Sequence, residues 1–208
     1  MRKGVTVDAP HTPTAFGKDE EIFSEAVRIF KQKGYHATSM RNIADAVGLQ
    51  KGSLYHYISS KEELLFKIFE RGTGALTRRL EEIIASADSP TEKLHRAIEA
   101  HLIQLCDQLD IFTVYLTEQR TLVGRHHTKV RAEGERHARL LEQIIQQGIA
   151  SGDFRAVDSK MTAHAILGMC NWLYQWYSPS GRLTPQEIAE IFSDLIIHGL
   201  KVASKDHK

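Results

Sequence analysis

The sequence predicts an all-α chain. Apolar residues recur at i, i+3 or i+4 in the long segments, three segments open on capping-box strings, and no stretch shows the two-residue alternation of a strand. At 208 residues, 42% hydrophobic and 25% charged, there is enough apolar material for one extended helical domain or two small ones. No run of about 18 apolar residues occurs, so no membrane span is expected. Arg2 and Lys3 are not followed by the apolar core of a signal peptide, and a cytoplasmic protein is expected. Cys106 and Cys170 stand far apart in apolar contexts, which fits buried free thiols rather than a disulfide or a metal site.

Residues 1–17 hold Gly4, Pro10, Pro13 and Gly17 without apolar periodicity and read as a flexible arm. A helix over 18–33 follows from the stripe Ile22, Phe23, Ala26, Val27, Phe30. Acids in its first turn and bases near its end suit its dipole, and Gly34 ends it. The next two helices form the stretch on which function turns. The first, over 40–47, has Ile43, Ala44 and Val47 on its core edge and Ser39 or Thr38 as its cap. Gly48 turns the chain and Leu49 returns to the core. The second, over 51–57, buries little beyond Leu54 and a face of Tyr55 or Tyr57, with Tyr57 read as the core plug. Lys51, Gly52, Ser53 and His56 have no apolar role, so this short polar helix is built for contact. Helix-turn-helix modules present their second helix to the major groove in this way.

The string TSMRNIADAVGLQKGSLYHYISSKEEL, residues 38–64, resembles the DNA-binding motif of the TetR family of bacterial transcriptional regulators. The resemblance covers about the first third of the chain; the remainder agrees in length and helical pattern. Gln50 departs from the usual Ser or Thr cap and Ile58 from the usual Phe. The resemblance implies a nine-helix fold: a three-helix DNA-binding domain over 18–64, then a helical ligand-binding and dimerisation domain over 65–208.

Charge distribution agrees with a binding surface. The net charge is only +1, but residues 28–61 carry six bases (Arg28, Lys31, Lys33, Arg41, Lys51, Lys61) against Asp45 alone, a local +5. Gln50, Lys51, Gly52 and Ser53 are placed for base edges. Thr38, Ser39, Arg41, Tyr55, His56 and Lys61 are placed for the backbone or beside it. A phosphate contact at Lys61 would make its removal weaken binding to all sequences and flatten the salt dependence by about one ion.

Beyond the motif, a helix opens at the capping box Ser60 to Glu63 and continues through Leu64, Leu65, Ile68, Phe69, Leu76, Leu80, Ile83 and Ile84. Gly72 and Gly74 interrupt it and suggest close packing or a flexing point. Ser89 to Glu92 starts another, with Pro90 at its first position and a stripe that includes His101. A short apolar segment spans 109–117, and Gly124, His126 and His127 lie in or near a connection. A polar helix is expected over 128–150. Asp158 caps a helix reaching residue 177, and Thr184 to Glu187 opens the last. The former is apolar nearly all round, which points to pairing with the same hairpin of a second subunit. Leu173, Tyr177, Ile191, Leu195 and Ile196 are the expected dimer contacts.

Phe112, Tyr115, Arg120, Met169, Asn171, Trp172 and Trp176 fit either the lining of an apolar cavity with polar anchors or the packing of a core. The C-terminal stretch is similar to family members that sense acyl-coenzyme A thioesters, and Arg120, Arg125, Lys129 and Arg131 would then meet the coenzyme phosphates. His126 with His127, and His95 with His101, lack the i, i+4 spacing of a metal-binding helix face. No nucleophile elbow, phosphate-cradling loop or carboxylate pair occurs, so neither catalytic residues, metal nor cofactor are expected. The expected partners are double-stranded DNA with a near-palindromic operator, a small-molecule effector and a second copy of the chain. The other reading is a DNA-bound scaffold that works through a protein partner without an inducer.

Overall fold

A computed structural model describes residues 17–201. The expected arm therefore lies, except for Gly17, outside the described residues. Among the described residues there are nine α-helices: α1 (Lys18–Lys33), α2 (Met40–Ala46), α3 (Lys51–Leu54), α4 (Lys61–Ala85), α5 (Pro90–Asp107), α6 (Leu109–Glu118), α7 (Gly124–Ser151), α8 (Ser159–Asn171) and α9 (Pro185–Leu200). Short 3-10 turns follow α6 at Gln119–Thr121 and α8 at Trp172–Gln175.

The start signals of these helices act largely as expected. Ser39 accepts the Asn42 N–H, and Asn42 reaches back to the Ser39 N–H, a reciprocal cap missed in the sequence. Thr184 and Glu187 complete the same arrangement at α9. Asp158 caps α8 at Met161 N–H and Ser89 caps α5 at Glu92 N–H. At α4 the expected box is half made. Ser60 accepts from Glu63 N–H, but the Glu63 carboxylate passes Ser60 and bonds the backbone N–H and hydroxyl of Ser59. Gly34, Gly48 and Gly152 take positive φ where the chain leaves α1, α2 and α7.

Beyond α4, two boundaries differ from expectation. Helix α8 gives way to 3-10 geometry at Trp172 instead of running to Tyr177. Helix α7 begins four residues early, so Gly124, His126 and His127 form its first turn and not a connection.

The apolar residues form two clusters. One gathers α1 to α3, the first half of α4 as far as Phe69, and Val114 and Leu122 from the α6 region. The other takes α4 from Leu76 onward together with α5 to α9. Helix α4 thus serves both. Between them it is gripped at Gly72, whose missing Cβ would lie 3.0 Å from Ile111 Cγ2 and whose carbonyl accepts 2.9 Å from Gln104 Nε2. Close packing, one of the two accounts of this glycine, therefore holds. A second tight approach occurs at Gly148, where the ring of buried Phe154 occupies the place of a Cβ.

Polar ties fasten the small N-terminal module to the rest. Lys18 Nζ donates to Val47 O at 2.7 Å and holds α1 to the end of α2. Arg71 of α4 pairs with Glu20 at 2.8 Å and stacks over Phe23 of α1. Helix α6 is joined to α1 by Lys31–Asp110, and Glu118 accepts from Tyr35 N–H at 3.1 Å.

Candidate nucleic-acid interface and buried cavity

The stub α3 is shorter than expected. Regular helix stops at Leu54, and Tyr55, His56 and Tyr57 continue as tight turns, with His56 N–H donating to Ser53 O and Tyr57 N–H to Leu54 O. Local chemistry accounts for this. Gln50 stands at the N-cap without a side-chain cap bond, and Gly52 is a poor helix former. Only Leu54 is buried in α3, with Ile58 as the second plug just after it.

The exposed side of this element carries Gln50, Lys51, Gly52, Tyr55 and His56, with Ser53 half-buried among them. The Gln50 amide, free of capping duty, remains available for a ligand. Lys51 lies 6.0 Å from the centre of the Tyr55 ring. Arg41 and Ser39 flank the same module from α2, Arg41 in a loose 3.8 Å pairing with Asp45.

Three sequence-based assignments change. Tyr57 is no core plug, since 42% of it remains exposed. Thr38 is buried, and its hydroxyl donates to Gly34 O at 2.8 Å, so it offers no phosphate contact from its side chain. Lys61 is largely spent within the chain. Its ammonium donates to Tyr35 O at 2.7 Å and Thr38 O at 2.6 Å and sits 4.1 Å above the Tyr35 ring. Burial accordingly pushes its pKa below the ordinary lysine value.

The second half of α4 faces a small, partly open cavity of about 80 Å³, bounded also by α5, α6, α7 and α8. Thr73, Leu76 and Thr77 line it from α4, His101 from α5, Phe112 and Tyr115 from α6, Glu133 and His137 from α7, Leu167 and Asn171 from α8. Of the expected pocket residues, Phe112, Tyr115 and Asn171 are therefore brought together. His101 Nε2 is 2.9 Å from Asn171 Oδ1, and because that oxygen only accepts, Nε2 carries the proton. Burial drives the His101 pKa down to about 4, the Asn171 bond opposing. Burial, with His101 nearby, drives His137 to about 3. Their ring centroids are 5.6 Å apart, and both rings are neutral near pH 7.

Two openings adjoin the cavity. One, between α4 and α7, is a groove of about 860 Å³ sharing Thr73 and Glu133 and bordered by Arg78, Lys129, Arg136 and Arg139. The other, of about 470 Å³, shares Tyr115, Gly134, Leu167 and Asn171, and Arg120, His127, Arg131 and His164 border it. Arg120 thus stands at an opening, not at the cavity itself. Arg125 is exposed in the first turn of α7.

The remaining expected pocket residues lie elsewhere. Trp172 and Trp176, 61% and 49% exposed, are open to solvent, as are Met161, Ile191 and Leu195. Trp172 opens the 3-10 turn that ends α8 and Trp176 follows it, while Leu173 between them is buried. Met169 is half-buried and absent from the cavity lining. Leu173, expected at a dimer contact, is fully buried within its own subunit. Tyr177 and Ile196 are partly buried, and Ile191 and Leu195 are open.

Sequence reasoning missed Thr77 and His137 altogether. The one available signal was His101, a polar residue on an otherwise apolar stripe of α5.

Comparison with known proteins places this geometry among relatives. Residues 22–68 match the family model described as bacterial regulatory proteins, tetR family, and residues 87–200 match the tetracyclin repressor-like C-terminal domain. The chain is 26% identical over 201 residues to the HTH-type transcriptional repressor KstR2 of Mycolicibacterium smegmatis, covering 95% of this chain and 98% of that protein. It is similar to the crystal structure of PfmR from Thermus thermophilus, at 36% identity and a TM-score of 0.80, over 87% of this chain and 99% of that one. It also resembles AibR, solved in complex with isovaleryl coenzyme A and operator DNA, at 29% identity and a TM-score of 0.76, over 89% and 98% of the two chains.

Proposed function

The chain belongs to the tetR family of bacterial regulatory proteins, and on that premise we propose that it is a homodimeric repressor released from its operator by an acyl-coenzyme A thioester. It is a DNA-binding transcriptional regulator, not an enzyme.

One observation carries the effector reading. The helix that begins beside the DNA-contacting stub also forms a wall of the buried cavity, through Thr73, Leu76 and Thr77. An effector in the cavity must contact α4, and α4 carries that contact to the operator side. The acyl chain would enter between α4 and α7, and Arg78, Lys129, Arg136 and Arg139 would meet the coenzyme phosphates. AibR, bound to a coenzyme A thioester and to operator DNA, supports this choice of effector class. The ligand acts only through its different affinity for the operator-bound and released arrangements.

On DNA, Gln50 to Ser53 read base edges while Ser39, Arg41, Tyr55 and His56 hold the backbone, and Lys61 positions the module from behind. Two copies pair through the outward apolar residues of α8 and α9, with Ile191, Leu195 and Ile196 at the contact and Tyr177 at its margin. The paired stubs then meet a near-palindromic operator in successive major grooves. No helix among the described residues is long and apolar enough to cross a membrane, in keeping with action in the cytoplasm.

Selection of bound DNA from a random pool, followed by gel shift with a panel of acyl-coenzyme A thioesters, tests the reading. Recovery of an inverted repeat that at least one thioester releases is expected. A protein that selects no common sequence, or whose complex every thioester leaves intact, overturns it.

A further inference from the structure

Two side chains of the buried cavity are left without partners. Among the described residues, Thr77 Oγ1 and His137 Nδ1 are both out of contact with solvent and make no hydrogen bond, and both residues line the same space. Buried polar groups are almost always hydrogen-bonded, so two orphans on residues that line one small cavity point to a group that could reach both from it. Their neighbours are satisfied: His101 donates to Asn171.

Size and charge restrict what fits. An engineered cavity of about 150 Å³ accommodates the six carbons of benzene. On that scale the 80 Å³ here admits the last three or so heavy atoms of a longer molecule. Leu76, Phe112 and Leu167 supply apolar walls. Among the described residues no lysine or arginine lines the space, Glu133 does, and burial keeps both imidazoles uncharged. A carboxylate tip would enter beside Glu133, which Arg136 already meets at 3.7 Å, with no further cation lining the space to receive it.

Resting on the thioester reading above, we propose that the effector ends in an uncharged, oxygen-bearing tip, a ketone or hydroxyl, held by Thr77 and His137. A saturated hydrocarbon tail is the poorer ligand because it buries both orphans unmet. The Thr77 hydroxyl donates to the tip oxygen. His137 Nδ1 donates or accepts according to its tautomer, which suits a ketone or a hydroxyl in turn.

Calorimetric titration of the full chain with three matched eight-carbon thioesters tests this. The probes are octanoyl-coenzyme A, 7-oxo-octanoyl-coenzyme A, and the thioester whose far end is a free carboxylate. The oxo compound is expected to bind about tenfold more tightly than octanoyl-coenzyme A, the worth of one net hydrogen bond, and the carboxylate-ended compound more weakly than either. Thr77→Val and His137→Leu should each erode the oxo preference; if Leu at 137 does not fold, Thr77→Val reads the same quantity. Equal affinity for the oxo and plain chains, or a preference that survives substitution, overturns the proposal. Should no thioester bind, the effector class is wrong and free 2-octanone decides the tip: a shift of the His137 imidazole nitrogen resonance supports it, and an unmoved resonance overturns it.

Discussion

The imidazole of His126 lies flat on the ring of Phe66, with centroids 4.5 Å apart and planes 13° from parallel. Its Nδ1 is 3.3 Å from Glu62 Oε1 in the first turn of α4. The start of α7 is thereby fixed to the start of α4. Aromatic pairs contribute about 0.5–1.5 kcal/mol beyond their burial, so His126→Ala should lower stability by about 1 kcal/mol. Phe66→Ala, which empties a buried site, should cost about 3–5 kcal/mol. Urea denaturation of both variants checks the order.

Lys61 gives a test that separates a structural tie from a phosphate contact. Its two charge-assisted bonds to Tyr35 O and Thr38 O hold the loop before α2. Lys61→Met should lower stability by about 2 kcal/mol and weaken operator binding without changing the salt slope. A slope shallower by about one ion would restore the direct phosphate contact expected from sequence.

Gly148 admits no side chain while Phe154 keeps its place. Gly148→Ala should destabilise by about 1–3 kcal/mol, and the added Phe154→Leu change should recover part of the loss. Thermal melts of the single and double variants measure the recovery.

The buried histidines make stability depend on pH. Both pKa values lie below the ordinary 6.5, near 4 for His101 and 3 for His137, so the unfolded chain binds more protons between these values and 6.5. Stability is therefore full above about pH 6.5 and falls as pH drops. Between pH 7 and pH 5 each ring should cost about 2 kcal/mol. Denaturant midpoints of wild type and His137→Leu at the two pH values give the difference, and the variant should lose less.

The outward face of α8 and α9 predicts assembly. Leu195, 64% exposed, stands with Ile191 on that face. Leu195→Arg should yield monomers by sedimentation and lower operator affinity by roughly a hundredfold, because one half-site loses the avidity of two. Retained dimers would move the interface elsewhere.

Local signals were legible in the sequence wherever one residue settles the geometry. Gly34, Gly48 and Gly152 turn the chain as read, Ser60 and Asp158 start their helices, and α1 has the expected bounds. Ambiguity grew where the outcome depends on distant partners. Tyr57 and Leu173 have similar apolar character, yet one is exposed and the other fully buried. Periodicity marks a helix face but not which neighbour covers it, so Trp172 and Trp176 were as compatible with a cavity as with an outer surface. The cavity itself depends on Thr77, His101 and His137 from three helices, a meeting that no spacing along the chain records.

The grip on Gly72 gives α4 a fulcrum. Thr77 is five residues to one side and Lys61 eleven to the other, arms of about 7 and 16 Å at 1.5 Å per residue. A rigid rod pivoting there roughly doubles any sideways push at the short arm and reverses its direction at the long one. Half an ångström at Thr77 becomes about one ångström beside the α3 stub, and on the function proposed above that is the leverage by which a tip of a few atoms would misalign two half-sites.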